Sequence, residues 1–427
     1  MSPFNYNSNL LHAESVPLPR IAEQFGTPTY VYSKSAIVAN FDAYASACRK
    51  HAPQPDATLI CFSVKSNSNL AILQLLHQRG SGFDIVSGGE LLRVLAAGGS
   101  ASKVIFSGVG KTRDEMRLAL SHDSLCFNVE SIPELHRLDA AAGELGKRAR
   151  ISLRVNPNVD AKTHPYISTG LKENKFGVAF DDALATYRIA AALPNIDVTG
   201  IDCHIGSQLL DDAPLLEAVD RLIELVDQLA AEDIGIHHLD IGGGIGINYE
   251  GEEPVAVGTY LERLFARITA WRATRHGGIP IKVLFEPGRS IVGNAGLLLT
   301  EVQYLKDGAA KNFAVVDAAM NDLMRPAMYQ AWHGVQEVRK RPDAAVTYDV
   351  VGPVCESGDW LARERALSIA AGDLLAIMSA GAYGMTMSSN YNTRGRAAEV
   401  MVDGTTLHLV RRREMAQELF ALESLVK

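Results

Sequence analysis

Cysteine is scarce in this chain, and what there is does not pair. The five cysteines, Cys48, Cys61, Cys126, Cys203 and Cys355, are odd in number, and none stands at a Cys-x-x-Cys spacing. That argues against a disulfide framework and against a zinc site, and no metal is expected. Scattered thiols fit a reducing cytoplasm. A surplus of one charge is also lacking. The 41 Lys and Arg against 49 Asp and Glu leave a net charge of −8, which gives no footprint for nucleic acid or an anionic membrane. No apolar run approaches the length that spans a bilayer. The first residues, MSPFNYNSNLLHAES, lack the basic region and apolar core of a secretory signal. There is no internal repeat and no low-complexity segment.

What is present reads as a large soluble protein. With 47% hydrophobic and 21% charged residues over 427 positions, the chain can bury a substantial core in two or three domains. From about residue 57, short runs rich in Val, Ile, Leu and Phe alternate with helical patterns. The runs at 57–64, 82–86, 103–107, 125–129, 151–156, 198–204, 237–241 and 281–286 make eight expected strands, apolar enough to be buried and parallel. The clearest helix is expected over 214–230. Its apolar residues Leu215, Leu216, Val219, Leu222, Ile223, Val226 and Leu229 recur at helical spacing. Asp212 is its expected cap, and Pro214 suits its first turn.

Eight strand–helix units form either a closed (β/α)8 barrel of the TIM type or a doubly wound open sheet. The polar residues decide between them. Lys65 follows the first strand, His204 ends the sixth, Gly242-Gly-Gly244 follows the seventh, and Glu286 ends the eighth. Barrels gather their sites from the C-terminal ends of several strands, whereas open sheets concentrate them at one switch point. The α/β barrel is therefore expected, over residues 36–292. Past about 293 the runs at 297–304, 313–316, 346–351 and 374–378 lack helices between them. Asp403-Gly404 between two further runs signals a hairpin. A second, mostly β domain is expected from 293–427 together with 1–35, whose run at 29–32 is strand-like.

Taken singly, the polar residues are ambiguous. Lys65, in Cys61-Phe-Ser-Val-Lys-Ser-Asn67, is either a solvated lysine at a strand exit or an amine that forms a Schiff base with an aldehyde cofactor. His204, in Cys203-His-Ile-Gly-Ser-Gln208, is either structural or a flat ring packed on a cofactor, with Ser207 near a phosphate. Leu239-Asp-Ile-Gly-Gly-Gly-Ile-Gly246 is either a plain turn or a phosphate loop whose backbone N–H groups approach closely. It does not have the Gly-x-Gly-x-x-Gly spacing of dinucleotide folds. Glu286-Pro-Gly-Arg289 is either a surface ion pair or a carboxylate and guanidinium facing a cofactor. In the second domain Asp317–Tyr329 offers Arg325 and Tyr329, Gly352–Asp359 offers Cys355 and Glu356, and Gly381-Ala-Tyr-Gly384 offers Tyr383.

Together these motifs resemble the barrel-type (fold type III) pyridoxal-phosphate decarboxylases that act on ornithine, arginine and diaminopimelate, the diaminopimelate branch most closely. The resemblance runs from about Thr27 to Val410. Its most specific motifs are Thr169-Gly-Leu-Lys-Glu-Asn-Lys-Phe-Gly177, His204-Ile-Gly-Ser207, Asp317–Tyr329, Cys355-Glu-Ser-Gly-Asp359 and Ser388-Ser-Asn-Tyr391. It implies an alanine-racemase-like β-barrel for the second domain and pyridoxal 5'-phosphate as cofactor. It gives Lys65 the Schiff base and His204 the face of the cofactor ring. Ser207, Gly243, Gly244 and the backbone of Glu286, Pro287, Gly288 and Arg289 would hold the phosphate. Glu286 would pair with the ring nitrogen. Arg289, Arg325, Tyr329, Glu356 and Tyr383 would bind substrate, Tyr383 touching the cofactor as well. Cys355 would protonate the product carbanion. The Cys–Glu pair comes from the partner subunit in this family, so a homodimer with shared sites is implied. The segment 170–177 resembles the family's closing loop. One departure is Ser63, where the family often has Ala or Pro.

The implied reaction is decarboxylation of meso-2,6-diaminopimelate at its D centre to L-lysine and CO2, the last step of lysine biosynthesis. Ornithine-type relatives tend to have an acidic residue after the tyrosine of the Arg325 motif. Gln330 stands there instead, which favours a zwitterionic substrate end with Arg289 and Arg325 as carboxylate partners. Three other readings stay open: a decarboxylase of ornithine, D-lysine or arginine, a racemase, and a non-catalytic carrier of the cofactor. The presence of both Lys65 and Cys355 counts against the last.

Overall fold

The computed structural model describes residues 3–54, 57–160, 175–274 and 281–426. The chain divides into two compact units. One comprises Phe41–Ile247 and Glu253–Ser290, the other Met1–Asn40, Asn248–Glu252 and Ile291–Lys427.

The first unit is a closed parallel barrel. Its strands are β1 (Thr58–Ser63), β2 (Gly82–Ile85), β3 (Val104–Phe106), β4 (Cys126–Val129), β5 (Ala149–Asn156), β6 (Ile196–Asp202), β7 (His238–Asp240) and β8 (Lys282–Phe285). Each pairs in parallel with the next, and β8 returns to β1 with Leu284 opposite Leu59. A ring has no exposed edge, which removes the unpaired backbone groups that an open sheet must cover. The expected barrel is thus present, and the open sheet is excluded. A helix follows each of the first seven strands, and the four-residue turn Arg289–Val292 follows β8. Right-handed strand–helix–strand units return each strand parallel to the last. As a result every strand's C-terminal end, and the loop after it, faces the same rim.

The helix Ala213–Ala230 shows how sequence drives this layer. Leu215, Leu216, Val219, Leu222, Val226 and Leu229 are buried along one stripe. Its start differs from expectation. Asp212 makes no side-chain cap; its backbone is already helical at φ −87°, ψ −11°, and capping needs an extended residue. Its carboxylate instead accepts from Arg263 on the next helix, at 2.9 and 3.1 Å. The local turn is closed one residue earlier, where Asp211 accepts from the Ala213 N–H at 3.0 Å.

The second unit is mostly β. A nine-stranded sheet runs through Gly296–Lys306, which pairs antiparallel with Thr29–Ser33, Asn312–Val316 and Leu374–Ile377. Thr29–Ser33 also pairs in parallel with Ala398–Asp403, so the N-terminal strand lies inside this sheet. The hairpin signal at Asp403-Gly404 joins Ala398–Asp403 to Thr406–Arg411, with Gly404 at φ 61°. A small three-stranded sheet is formed by Phe4–Asn7, Leu10–Ala13 and Val16–Pro17. Its Leu11, Ala13 and Val16 join one core with Leu18, Ile21, Val31, Leu297 and Val400.

Leu222, fully buried at the middle of its helix, provides a test of the barrel layer. Leu222→Ala should destabilise the barrel by about 2–5 kcal/mol through lost burial and the cavity left behind, read as a lower urea midpoint for the barrel transition.

Candidate active site

The residues singled out in the sequence fall into two groups, one in each unit. Residues 169–174 of the proposed closing-loop motif lie outside the described residues.

The barrel group gathers at the C-terminal ends of the strands. Lys65 sits in a 3-10 turn (Val64–Ser66) just past β1, and its Nζ pairs with Asp84 Oδ2. Asp84 is fully buried in β2, and the β1–β2 register sets it opposite Ser63. The Ser63 hydroxyl lies 2.9 Å from the same Asp84 oxygen and 3.0 Å from the Glu286 carbonyl. The position where the family often has an apolar residue thus carries a donor beside the lysine's partner. Among the described residues, Asp84 Oδ1 has no hydrogen-bond partner.

Glu286 follows β8 and is 5% exposed, which rules out the surface ion pair. Its Oε1 accepts from Ser107 Oγ at 3.4 Å and from Asn128 Nδ2 at 3.5 Å. Burial, reinforced by Asp240, Asp84 and Asp202, pushes its carboxyl well above the usual range. The oxygens of Asp202, Asp240 and Glu286 come within 4.8 Å of one another. Asp202 is pushed well up by burial and then by Asp240, with Arg154 opposing. Asp240 rises to about 7, through burial first, although the Gly242 N–H donates to its Oδ1 at 3.0 Å. Burial and mutual repulsion thus favour the protonated forms across this cluster.

His204 carries no such proton. Burial first, then the Arg154 and Lys65 charges, hold it well below the ordinary histidine range. Its Nδ1 accepts from the Gly243 N–H at 3.2 Å, so the neutral ring bears hydrogen on Nε2. Glycine is required at 243, where a Cβ would stand 2.2 Å from the Glu286 carbonyl. Gly244, at φ 118°, turns the chain in a region other residues rarely enter. Arg289 is 6% exposed and donates to Ser207 Oγ from Nε at 3.3 Å and from Nη2 at 3.1 Å. Pro287 and Gly288 are buried between Glu286 and Arg289.

In the β unit, Arg325 is buried and opens the short helix Arg325–Tyr329. Its guanidinium lies over the Tyr249 ring at 4.7 Å and 2.9 Å from His333 Nε2. Tyr329 and Tyr383 are half-buried, Tyr383 at φ 56°. Cys355 and Glu356 are exposed on a loop pinned by Asp359, whose carboxylate accepts from Met320 N–H at 2.6 Å and Val354 N–H at 2.7 Å. The Tyr391 hydroxyl donates to Glu356 at 2.5 Å, and the Cys355 N–H donates to Asn392 Oδ1 at 3.3 Å. Residues 35 and 37 positions apart in the sequence are thereby joined.

Sequence reading missed Asp84, Asn128, Arg154, Asp202 and His333. Asp84 left one signal, a charged residue within the apolar run Gly82–Ile85. The others gain meaning only from strand register.

An amine, buried acids with raised carboxyls, a neutral ring and a glycine–serine–arginine cradle gather on one barrel rim. Together they are what an aldehyde cofactor bearing a ring nitrogen and a phosphate requires, and they fit pyridoxal phosphate. Residues 37–293 match the family described as pyridoxal-dependent decarboxylase, pyridoxal binding domain. Over the full length of both chains, this one is 60% identical to a diaminopimelate decarboxylase of Pseudomonas aeruginosa and 55% identical to that of Vibrio cholerae. Among solved structures, the diaminopimelate decarboxylase of Helicobacter pylori complexed with L-lysine is 40% identical, with a TM-score of 0.89, covering 95% of this chain and 99% of that one. The M. jannaschii enzyme in complex with L-lysine is 34% identical, with a TM-score of 0.93 over 99% and 98%. The chain belongs to the pyridoxal-dependent decarboxylases, in the branch formed by the diaminopimelate decarboxylases. Its cofactor is pyridoxal 5'-phosphate. No helix among the described residues is long and apolar enough to cross a membrane.

The raised Asp240 carboxyl has a consequence for the cofactor-free protein. Asp240 binds a proton in the folded state up to about pH 7, whereas an unfolded Asp releases it near pH 4. Its contribution to stability is complete below about pH 4 and is lost as pH rises through about 7, by up to about 1.4 kcal/mol per pH unit. Asp240→Asn stays neutral throughout. The stability of this variant relative to wild-type apoprotein should therefore climb between about pH 5 and 7 and level off above, as measured by urea unfolding across that range.

Proposed function

We propose that this chain decarboxylates meso-2,6-diaminopimelate at its D centre, releasing CO2 and L-lysine. The observation that carries this reading is identity of 52–60% over the whole chain with enzymes named for that reaction. Pyridoxal phosphate, when bound, supplies an aldehyde that captures amines and a ring that takes up the electron pair left by CO2 loss. The chain's own residues supply the rest.

Lys65 is the amine that would hold the cofactor through its aldehyde. Asp84 holds that amine at the strand end and, buried beside it, is the natural acceptor of its charge. Glu286 is assigned to the ring nitrogen. A carboxyl whose proton affinity is raised by burial would share a proton with a basic ring nitrogen and so favour its protonated form. His204 offers an uncharged flat face. Ser207, Gly243, Gly244, Arg289 and the backbone of Pro287 and Gly288 cradle the phosphate, and the Arg289–Ser207 bonds support that assignment. Arg289, Arg325, Tyr329, Tyr383 and Glu356 bind substrate, with the buried guanidinium of Arg325 directed to the far carboxylate.

Cys355 delivers the proton that replaces CO2. In a single chain both Cys355 and Glu356 are exposed on a loop held rigid by Asp359, which supports their service in a partner's site. We therefore assign a homodimer with shared sites, working in the reducing cytoplasm where this exposed thiol stays free.

The direct test follows CO2 and L-lysine from meso-diaminopimelate. Wild type should turn over. Lys65→Ala should lose both activity and the visible absorbance of the bound cofactor. Arg325→Ala should lower kcat/KM by about 10-fold or more, mostly through KM. A preference for ornithine, D-lysine or arginine over diaminopimelate would overturn the substrate. The shared site has its own test. Mixing inactive Lys65→Ala with inactive Cys355→Ala should restore up to about a quarter of wild-type activity, since about half of randomly paired dimers are hybrids with one intact site. No recovery after subunit exchange would refute the sharing.

A further inference from the structure

A buried lysine, Lys111, takes no part in the chemistry above, and it ties two strand ends together. Its side chain is wholly buried. Nζ donates to the Gly108 carbonyl at 2.8 Å, to the Asn128 carbonyl at 2.7 Å and to Glu134 Oε1 at 2.7 Å. Gly108 stands one residue past Ser107, just beyond β3, and Asn128 lies in β4. The register of these strands places Phe106 opposite Phe127, so the next pair along is Ser107 and Asn128. One ammonium with its three donors engaged thus fixes the backbone beside both side chains.

Those two side chains meet Glu286. β4 and β8 stand opposite each other in the ring, so the contact crosses the barrel interior. Ser107 Oγ donates to Glu286 Oε1 at 3.4 Å. Asn128 Nδ2 donates to the same oxygen at 3.5 Å and to Ser107 Oγ at 3.2 Å. The directions agree with one another. The hydroxyl gives its hydrogen to the carboxyl and its lone pair to the amide. Turned over, the amide would set its oxygen against the Glu286 oxygen. All three side chains are buried, so water does not compete for these bonds. Because Oε1 accepts both donors, a proton on Glu286 sits on the other oxygen. Such donors favour the carboxylate form. They work with Lys65 and against burial and the charges of Asp240, Asp84 and Asp202.

We propose that Ser107 and Asn128 are positioning residues for Glu286: by donating to one carboxyl oxygen they present the other to the cofactor's ring nitrogen and favour the carboxylate there, so that the shared proton rests on the nitrogen. Lys111 keeps the pair in register. This inference rests on the assignment of Glu286 to the ring nitrogen.

The test uses holoenzyme loaded with pyridoxal phosphate that carries 15N in its ring. Ser107→Ala removes only a hydroxyl, Ser107→Thr keeps it, and Asn128→Leu keeps the volume without a donor. In wild type the ring-nitrogen resonance should be that of a protonated pyridine. In Ser107→Ala and Asn128→Leu it should move toward the unprotonated position, further in the Leu variant, and Ser107→Thr should return most of the shift. Loss of a hydrogen bond to a charged group should lower kcat about 10-fold in Asn128→Leu, with KM within about twofold. A merely structural pair would change KM, cofactor retention or the urea midpoint and leave the resonance where it was. Should Asn128→Leu fail to hold the cofactor, the two Ser107 variants decide alone. An unmoved resonance in Ser107→Ala, a Thr variant no better than Ala, or a loss confined to KM would each overturn the proposal. Glu286→Gln separates this from the assignment beneath it. If that variant leaves the ring nitrogen as protonated as in wild type, Glu286 is not its partner and the assignment itself fails.

Discussion

The ion pair between Lys65 and Asp84 lets this chain keep a primary amine at the mouth of a barrel built from Val, Ile, Leu and Phe. An ammonium buried alone would be expelled or deprotonated. Paired with a buried carboxylate on the neighbouring strand, it stays at the rim. The pairing depends on register. Ser63 lies opposite Asp84, so a slip of one residue between β1 and β2 would turn Asp84 to the other face of the sheet. The site therefore inherits its precision from the barrel ladder rather than from the loops.

That single cation does not balance the acids around it. Asp84, Asp202, Asp240 and Glu286 all act on one another, and Arg154 provides a second positive group nearby. Burial and mutual repulsion raise the carboxyls of Asp202, Asp240 and Glu286, which favours their protonated forms. A site that favours protonated acids while holding His204 neutral is suited to a ligand that brings its own basic nitrogen. In the β unit the buried Arg325 guanidinium lies 2.9 Å from His333 Nε2 and over the Tyr249 ring.

Much of this was legible in the residues. Eight apolar runs separated by helical stripes announced the barrel, and Lys65, His204, the triple glycine and Glu286 stood at the ends of four of them. The run at 29–32 was readable as a strand because Thr, Tyr and Val favour a pleated, buried surface. Asp212 shows where local rules fail. It has the composition of a cap, yet a long-range partner, Arg263, claims its carboxylate. His333 was silent for a related reason. Nothing in Ala331-Trp-His-Gly334 announces a buried histidine 2.9 Å from Arg325.

Sequence alone determined the strand and helix pattern, the class of chemistry and the identity of the amine, because periodicity and residue type act locally. Tertiary structure decided which acids lie close enough to raise one another's carboxyls, which tautomer His204 adopts, and that Cys355 is exposed while Arg325 is buried. Those properties depend on distance and desolvation, and both are set by strand register and by the backbone carbonyls and amides that folding brings alongside.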